Sequence, residues 1–374
     1  MKKVISIVAM MLTCVQVAWS YGFDFEYDNF AYNINEDGTL TMVPNDYSKT
    51  VSGHVVIPDQ VLYKGRYYKV AVLDDTFYDN ADITSVTIGK NVKIIGDHTF
   101  YSCTGLAGML TIPEGVTRIG NSAFSHCGAL TGVKIPKSLT SIGDYAFYEC
   151  EALTAVYITN IAAWCQLSFH QYWDSPLSYA HHLYLNGSEV KNLEIPDEAT
   201  SIGDFAFYEY TSLQSMNTGN GVDTIGWRSF LDCTNLRSVT FGKNVKYIKD
   251  DAFYGCSALS EIFSYPVNPP TLEGNGVFDN VDIYSITAHV PKGSKDKYNM
   301  YFPWYWFNIV EDLVTTTPGD CNGDGEVDVK DVTALITYIL GTTPPNFNVD
   351  NANVNGEGEI DVQDVTALIN LILK

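Results

Sequence analysis

The sequence predicts a mainly β protein: a solenoid of short strands and helical turns, followed by a small α-helical domain. Three observations carry that expectation. The stretch from Ile112 is repeated almost word for word from Ile135, a period of 23 residues, and a fixed period of that size marks a solenoid. A phenylalanine returns at one place in each coil, as Phe77, Phe100, Phe124, Phe147, Phe207, Phe230 and Phe253. The tail, 320–374, holds two copies of an acidic loop followed by an apolar segment of helical period.

In chain order, residues 1–20 read as a secretory leader. Lys2 and Lys3 form its charged start, Val4–Leu12 its apolar core, and Ala18-Trp19-Ser20 a small-x-small cleavage site. The apolar core is too short to span a bilayer, and no later stretch could. A rival reading takes Leu12-Thr13-Cys14 as a lipoprotein box, but Thr fits poorly just before a lipidated Cys. Residues 21–56, rich in Tyr, Phe, Asp and Asn, are expected to form an opening hairpin. An uncapped solenoid would expose its core and a free strand edge.

The repeat region is placed at 57–263. Coils start at Ile88, Ile112, Ile135, Ile195, Thr218 and Phe241, after a looser coil at Ile57. Leu130, Val133 and Ile135 suit a short strand with one inward face. Ala123, Phe124, Cys127 and Leu130 step by three, which suits a single helical or 3₁₀ turn. An Ile-Gly step, as at Ile119-Gly120 and Ile142-Gly143, lets the backbone bend. One coil cannot bury its own apolar face, whereas coils stacked about 4.8 Å apart can. Asp144, Asp204 and Asp250 follow the Ile-Gly step and recur because the turn recurs. The pattern Ile-Pro-x-x-Val-Thr-x-Ile-Gly-x-x-Ala-Phe-x-x-Cys-x-x-Leu resembles the BspA-like leucine-rich repeat, a bacterial variant on secreted and surface proteins. The resemblance covers residues 22–313. It implies a curved right-handed solenoid with a strand-lined concave face, and binding of a protein or surface, including adhesion.

Of 8 cysteines, one lies in the leader, and five occupy one repeat position: Cys103, Cys127, Cys150, Cys233 and Cys256. Export permits disulfides, and neighbouring coils would bring Cα atoms within range. Stacked equivalents point the same way, however, and Asn80 and Tyr210 take the same position. Buried thiols acting as small hydrophobes are therefore expected.

The period breaks over 158–194, which holds Trp164, Cys165, Phe169, His170, Tyr172, Trp173, Tyr179, His181 and His182. Either a longer coil packs its aromatics on its neighbours, or they form a platform for a sugar or peptide. A metal site from His170, His181 and His182 is disfavoured, since an adjacent pair does not easily face one ion. Residues 264–313 are expected to close the solenoid, with a strand at Ala288–Pro291 and a short helix to Tyr298; Trp304-Tyr305-Trp306-Phe307 resemble the ending that closes the solenoid in the same repeat family, which favours a cap over a ligand site. Residues 314–319 read as a linker.

The tail, 320–374, carries the sharpest chemistry. Asp320, Asn322 and Asp324 stand at loop positions 1, 3 and 5, and Gly325 permits a sharp turn. Glu326 offers its carbonyl, Asp328 stands at position 9, and Asp331 closes at position 12. Such oxygen-only spacing suits calcium. The second copy reads Asn353, Asn355, Glu357, Glu359, Asp361 and Asp364. There Asn replaces the first Asp and Glu the shorter Asp at position 5, which predicts weaker binding. Val332, Leu335, Ile336 and Ile339 share one helical face, as do Val365, Leu368, Ile369 and Ile372. With so small a core, folding is expected to depend on the metal.

This duplicated loop–helix resembles a dockerin type I domain over the whole tail. The resemblance implies calcium as cofactor and a cohesin domain as partner, often on a scaffold of carbohydrate-degrading enzymes. The partner-contact positions fall on Val329, Lys330, Val362 and Gln363. They are not the Ser-Thr pairs of the best-known scaffold systems, so the partner stays open.

Net charge is −22, which argues against nucleic acid and anionic membranes as partners. A glycosidase would need two carboxylates about 5–9 Å apart across a cleft, whereas the acids here are scattered through turns. No Ser-His-Asp, zincin or phosphate-loop signature occurs. The expectation is a secreted or cell-surface, non-catalytic binding or adhesion protein with a calcium-dependent docking tail. The alternative is a dockerin-bearing component of a polysaccharide-degrading system. A purely structural surface-layer role is a third class.

Overall fold

The structure, a computed structural model, describes residues 22–45, 51–274, 276–313 and 317–373. The leader read at 1–20 and residues 314–316 lie outside them.

Short parallel strands stack coil on coil. One row runs Gly108–Thr111, Leu130–Lys134, Ala155–Ile158, Leu183–Leu185. A second row of two-residue strands, Ile94–Ile95, Arg118–Ile119 and Ser141–Ile142, lies in another sheet. The sequence period fixes the register: Val133 pairs with Val156 and Ile119 with Ile142. Both rows restart after the irregular coil, one from Asn192–Glu194 and one from Ser201–Ile202. The second row was not expected, because a two-residue strand shows no alternation in sequence.

At the N-terminal end, Phe25–Tyr27, Phe30–Ile34 and Leu40–Val43 form an antiparallel meander. Leu40–Val43 then pairs in parallel with Arg66–Leu73. Repeat-type pairing begins at Gly53–Val56, which lies against Ile83–Thr87. At the other end it runs past residue 263 into Thr287–Pro291 and Asn308–Leu313. Trp304, Phe307 and Tyr298 are buried there and close the core.

The step-by-three segment is a chain of turns with no regular helix. Ser122 and His126 have positive φ, as do Tyr145 and Glu149 one coil on, and left-handed residues interrupt a helical ladder. The freed N–H groups donate across coils instead: Ser122, Phe124 and His126 to the carbonyls of Asp144, Ala146 and Tyr148.

The phenylalanines fill the interior. Rings of Phe77, Phe100, Phe124 and Phe147 stack at 5.1–5.4 Å, and those of Phe207, Phe230, Phe253 and Phe278 at 5.2–5.6 Å. The stack is broken between Phe147 and Phe207. There Asp174 Oδ1 accepts the Tyr145 N–H and Tyr179 Oη the Glu149 N–H, so the inserted coil runs beside Phe147. It brings Trp164, Phe169, Leu177 and Ala180 into the core, which continues through them.

The repeated cysteines are free and buried. Each donates its S–H to the carbonyl of the phenylalanine in the preceding coil: Cys127 to Phe100, Cys150 to Phe124 and Cys256 to Phe230, at 3.1–3.2 Å. Asn80 Nδ2 and Tyr210 Oη donate from the same position, to Val51 and to Leu183 and Val190. The position thus selects a buried hydrogen-bond donor. Burial pushes the Cys150 thiol up to about 12, so little thiolate forms at neutral pH. The expected result with a thiol reagent at pH 8 is no reaction of the seven thiols while the chain is folded, and full labelling in denaturant. A native chain that labels at once contradicts this packing.

The Gly of the Ile-Gly step is held by close approach and has no left-handed φ. A Cβ on Gly120 would lie 2.5 Å from the Asp97 nitrogen and 2.6 Å from the Gly96 carbonyl carbon. Gly120→Ala is expected to lower stability by about 1–3 kcal/mol through overpacking against backbone. A denaturation midpoint equal to that of the unaltered chain would contradict it.

Candidate metal centre

The tail forms a compact unit of two matched halves. Helices Val329–Ile339 and Val362–Ile372 pack around buried Cys321, Ala334, Leu335, Ala352 and Leu368. A short helix, Val349–Ala352, precedes the second loop.

Each long helix is started by its own loop. Asp328 Oδ1 accepts the Lys330 N–H at 2.7 Å, and Asp361 Oδ1 the Gln363 N–H at 2.7 Å, as N-cap side chains do. Asp331 ties the first loop together: Oδ1 accepts from Asn322 N–H at 3.0 Å and Oδ2 from Asp328 N–H at 2.8 Å. Asp364 repeats this on Asn355 and Asp361 at 3.1 and 2.9 Å. So the residues read as closing each loop also cap each helix.

The loops differ at position 1. Asp320 is buried, and its two oxygens accept the N–H groups of Asp324 and Gly325 at 3.1 Å each. Asn353 instead donates to the Gly358 carbonyl at 3.2 Å, and its Oδ1 is buried without a hydrogen-bond partner. Asn322 Oδ1 receives Asp324 N–H and Asn355 Oδ1 receives Glu357 N–H, both at 2.7 Å. Asp324 Oδ1 receives Glu326 N–H at 3.0 Å. Glu357 and Glu359 lie exposed on the second loop.

Burial, reinforced by neighbouring acids, pushes the carboxyls of Asp320 and Asp331 above the usual range. Lys330, reaching back to Asp328 at 3.0 Å, holds the Asp328 carboxyl below it. Among the described residues no three His, Cys, Asp or Glu side chains already converge as a metal cage, because the loop oxygens face main-chain N–H groups. The donor set fits a hard cation all the same. It is oxygen only, it buries carboxylates, and it leaves one buried amide oxygen unpartnered.

Val329 and Val362, at equivalent places, are 70% and 68% exposed, and Lys330 and Gln363 beside them are exposed. Ile336 and Ile369 correct the sequence reading. Expected on the apolar helical face with Val332, Leu335 and Ile339, and with Val365, Leu368 and Ile372, both are partly exposed, at 42% and 41%. Two short helices in so small a unit bury only a narrow stripe each. Helical period alone carried no sign of this.

The solenoid gathers no second centre among the described residues of its irregular coil and turns. His170, His181 and His182 bond separately to Asp144, the Glu209 carbonyl and Glu189. Trp164 and Phe169 are buried, and Trp164 Nε1–H donates to the Ala206 carbonyl. Trp173 and Tyr172 stack on Tyr145 and Tyr208. Asp204 and Asp250 accept the N–H groups of Trp227 and Gly276 in the next coil. Ser212, His182 and Glu189 sit together, yet Ser212 Oγ and Glu189 Oε1 share the same Nδ1, at 2.8 and 2.7 Å. A hydrolase relay needs them on opposite ring nitrogens. No helix among the described residues is long and apolar enough to cross a membrane.

A leucine-rich-repeat solenoid carrying a dockerin is the class these features define. The chain belongs to the BspA type leucine rich repeat family, whose repeat region matches in six copies over 71–172 and 180–298. A dockerin type I domain matches 318–373. Among solved structures, a leucine-rich repeat protein of T. pallidum is 24% identical, covering 63% of this chain and 90% of that one, with a TM-score of 0.38. One from Bacteroides ovatus is 22% identical, covering 78% and 100%, with a TM-score of 0.32. No curated protein matches the chain.

Proposed function

We propose that this is an exported, non-catalytic binding protein of the cell surface or surroundings, whose solenoid holds a protein or glycan and whose tail docks, in calcium, on a cohesin-type partner. The observation that carries this reading is the duplication: two halves whose closing aspartates, Asp331 and Asp364, accept equivalent loop N–H groups expose the same apolar pairs, Val329 with Ile336 and Val362 with Ile369. Apolar side chains repeated on the surface of so small a unit fit a partner surface. Asp320, Asn322, Asp324, the Glu326 carbonyl, Asp328 and Asp331 would hold one calcium. Asn353, Asn355, Glu357, the Glu359 carbonyl, Asp361 and Asp364 would hold a second, more weakly. Calcium would neutralise the acids that crowd each loop and fix the loop on its helix. Val329, Lys330, Val362 and Gln363 would then meet the partner from ordered helix starts.

The test is retention of the full chain on an immobilised cohesin domain encoded in the same genome. Retention in calcium, release by a chelator, and loss in a Val329→Asp, Val362→Asp double variant are expected. Retention indifferent to the chelator, or none at all, would overturn the reading.

A further inference from the structure

The closing segment of the solenoid does more than close it. Trp304, Phe307 and Tyr298 enter the core. Around them Tyr284, Met300, Tyr301, Phe302, Tyr305 and Trp306 face solvent, between 38% and 74% exposed. A seal needs only the buried set. The exposed rings touch edge to face or tilted: Phe302 on Trp306 at 4.9 Å and 80°, Tyr305 on Trp306 at 5.5 Å and 78°, Tyr284 on Trp306 at 5.8 Å and 43°. Elsewhere on this surface, exposed tyrosines also stack in parallel. Tyr78 lies flat on Tyr101 and Tyr172 on Tyr208, so those faces cover each other. Among the described residues, only the closing cluster combines several exposed rings without parallel stacking.

We infer that this cluster is a binding subsite for a neutral glycan. Charge points away from an ionic ligand: residues 282–300 carry Lys292, Lys295 and Lys297 against Asp282 and Asp296, in a chain of net charge −22. Size points away from a second copy of the chain. The five exposed rings offer roughly 500 Å², below the ~800 Å² per partner of a stable protein interface. A sugar ring has an apolar C–H face edged by hydroxyls. The exposed parts of the Phe302, Tyr305 and Trp306 rings match the first, and the hydroxyls of Tyr284, Tyr301 and Tyr305 the second. The inference rests on the reading of the solenoid as a binding module and names one place where it binds.

The experiment is native affinity electrophoresis of the full chain in calcium, through gels containing soluble β-1,4-glucan, xylan or galactomannan. Tyr305→Ala with Trp306→Ala is compared with the unaltered chain, and Tyr301→Ala with Tyr305→Ala serves as a second pair remote from the core. Circular dichroism confirms that each variant is folded. Retardation of the unaltered chain by at least one polymer, weakened about tenfold or more in a folded variant, is expected. No retardation by any of the three, or retardation equal in the folded variants, overturns the subsite. So does concentration-dependent dimerisation that the variants abolish. Equal retardation removes this subsite but leaves glycan binding by the solenoid standing, and cohesin retention reports on the tail independently.

Discussion

Phe230→Ala lowers the unfolding free energy of the solenoid by about 3–5 kcal/mol, the range for truncating a buried aromatic. Phe230 is fully buried and lies between Phe207 and Phe253, with ring centroids at 5.2 and 5.4 Å. Its removal strips contact from both neighbours and leaves a void with rigid walls, because adjacent coils are pinned by backbone bonds such as Phe230 N–H to the Ala252 carbonyl. Coils contact only their neighbours, so the loss enters two interfaces at once. Phe230→Leu restores most of the volume and is expected to recover more than half of the stability. Urea denaturation in excess calcium, followed by tryptophan fluorescence, gives the comparison. A loss below about 1 kcal/mol would mean that the ring column does not hold the coils together.

Calcium removal acts on the other end of the chain. The tail has five fully buried core residues, Cys321, Ala334, Leu335, Ala352 and Leu368, too few to outweigh chain entropy unaided. It also crowds the acids Asp320, Asp324, Asp328 and Asp331 against Lys330 alone in the first loop. Metal binding is therefore expected to supply folding free energy, about 2.7 kcal/mol at a hundredfold excess over Kd. In chelator, the helical signal of Val329–Ile339 and Val362–Ile372 is expected to disappear, while the solenoid transition stays in place. Added calcium restores it. Asp320→Ala is expected to behave like the chelated chain. Full helicity under chelation would contradict the coupling.

The period made most of this legible in advance. Phe, Cys and Ile-Gly positions recur at one spacing, and a solenoid has few ways to honour that. What stayed hidden depended on contacts between coils. The cysteine proves to be a hydrogen-bond donor to a carbonyl one coil back, a relation with no local trace beyond the tolerance for Asn80 and Tyr210. The Gly of the Ile-Gly step answers to the backbone of the preceding coil, 2.5 Å from where a Cβ on Gly120 would sit, and not to its own dihedral. The gap in the ring stack falls at the inserted coil, whose aperiodic sequence could not place it. In the tail the loops were plain from spacing, whereas the outward turn of Ile336 and Ile369 needed the packing of both helices. The split of 300–307 into a seal and an exposed cluster likewise needed the fold, since all its aromatics look alike in sequence.

The most direct test of a metal-held docking tail is the calcium content of the purified full chain after dialysis against micromolar calcium, measured by atomic emission. At least one ion per chain is predicted, lost in Asp320→Ala. A chain that retains none, yet still docks on its partner, would contradict the account.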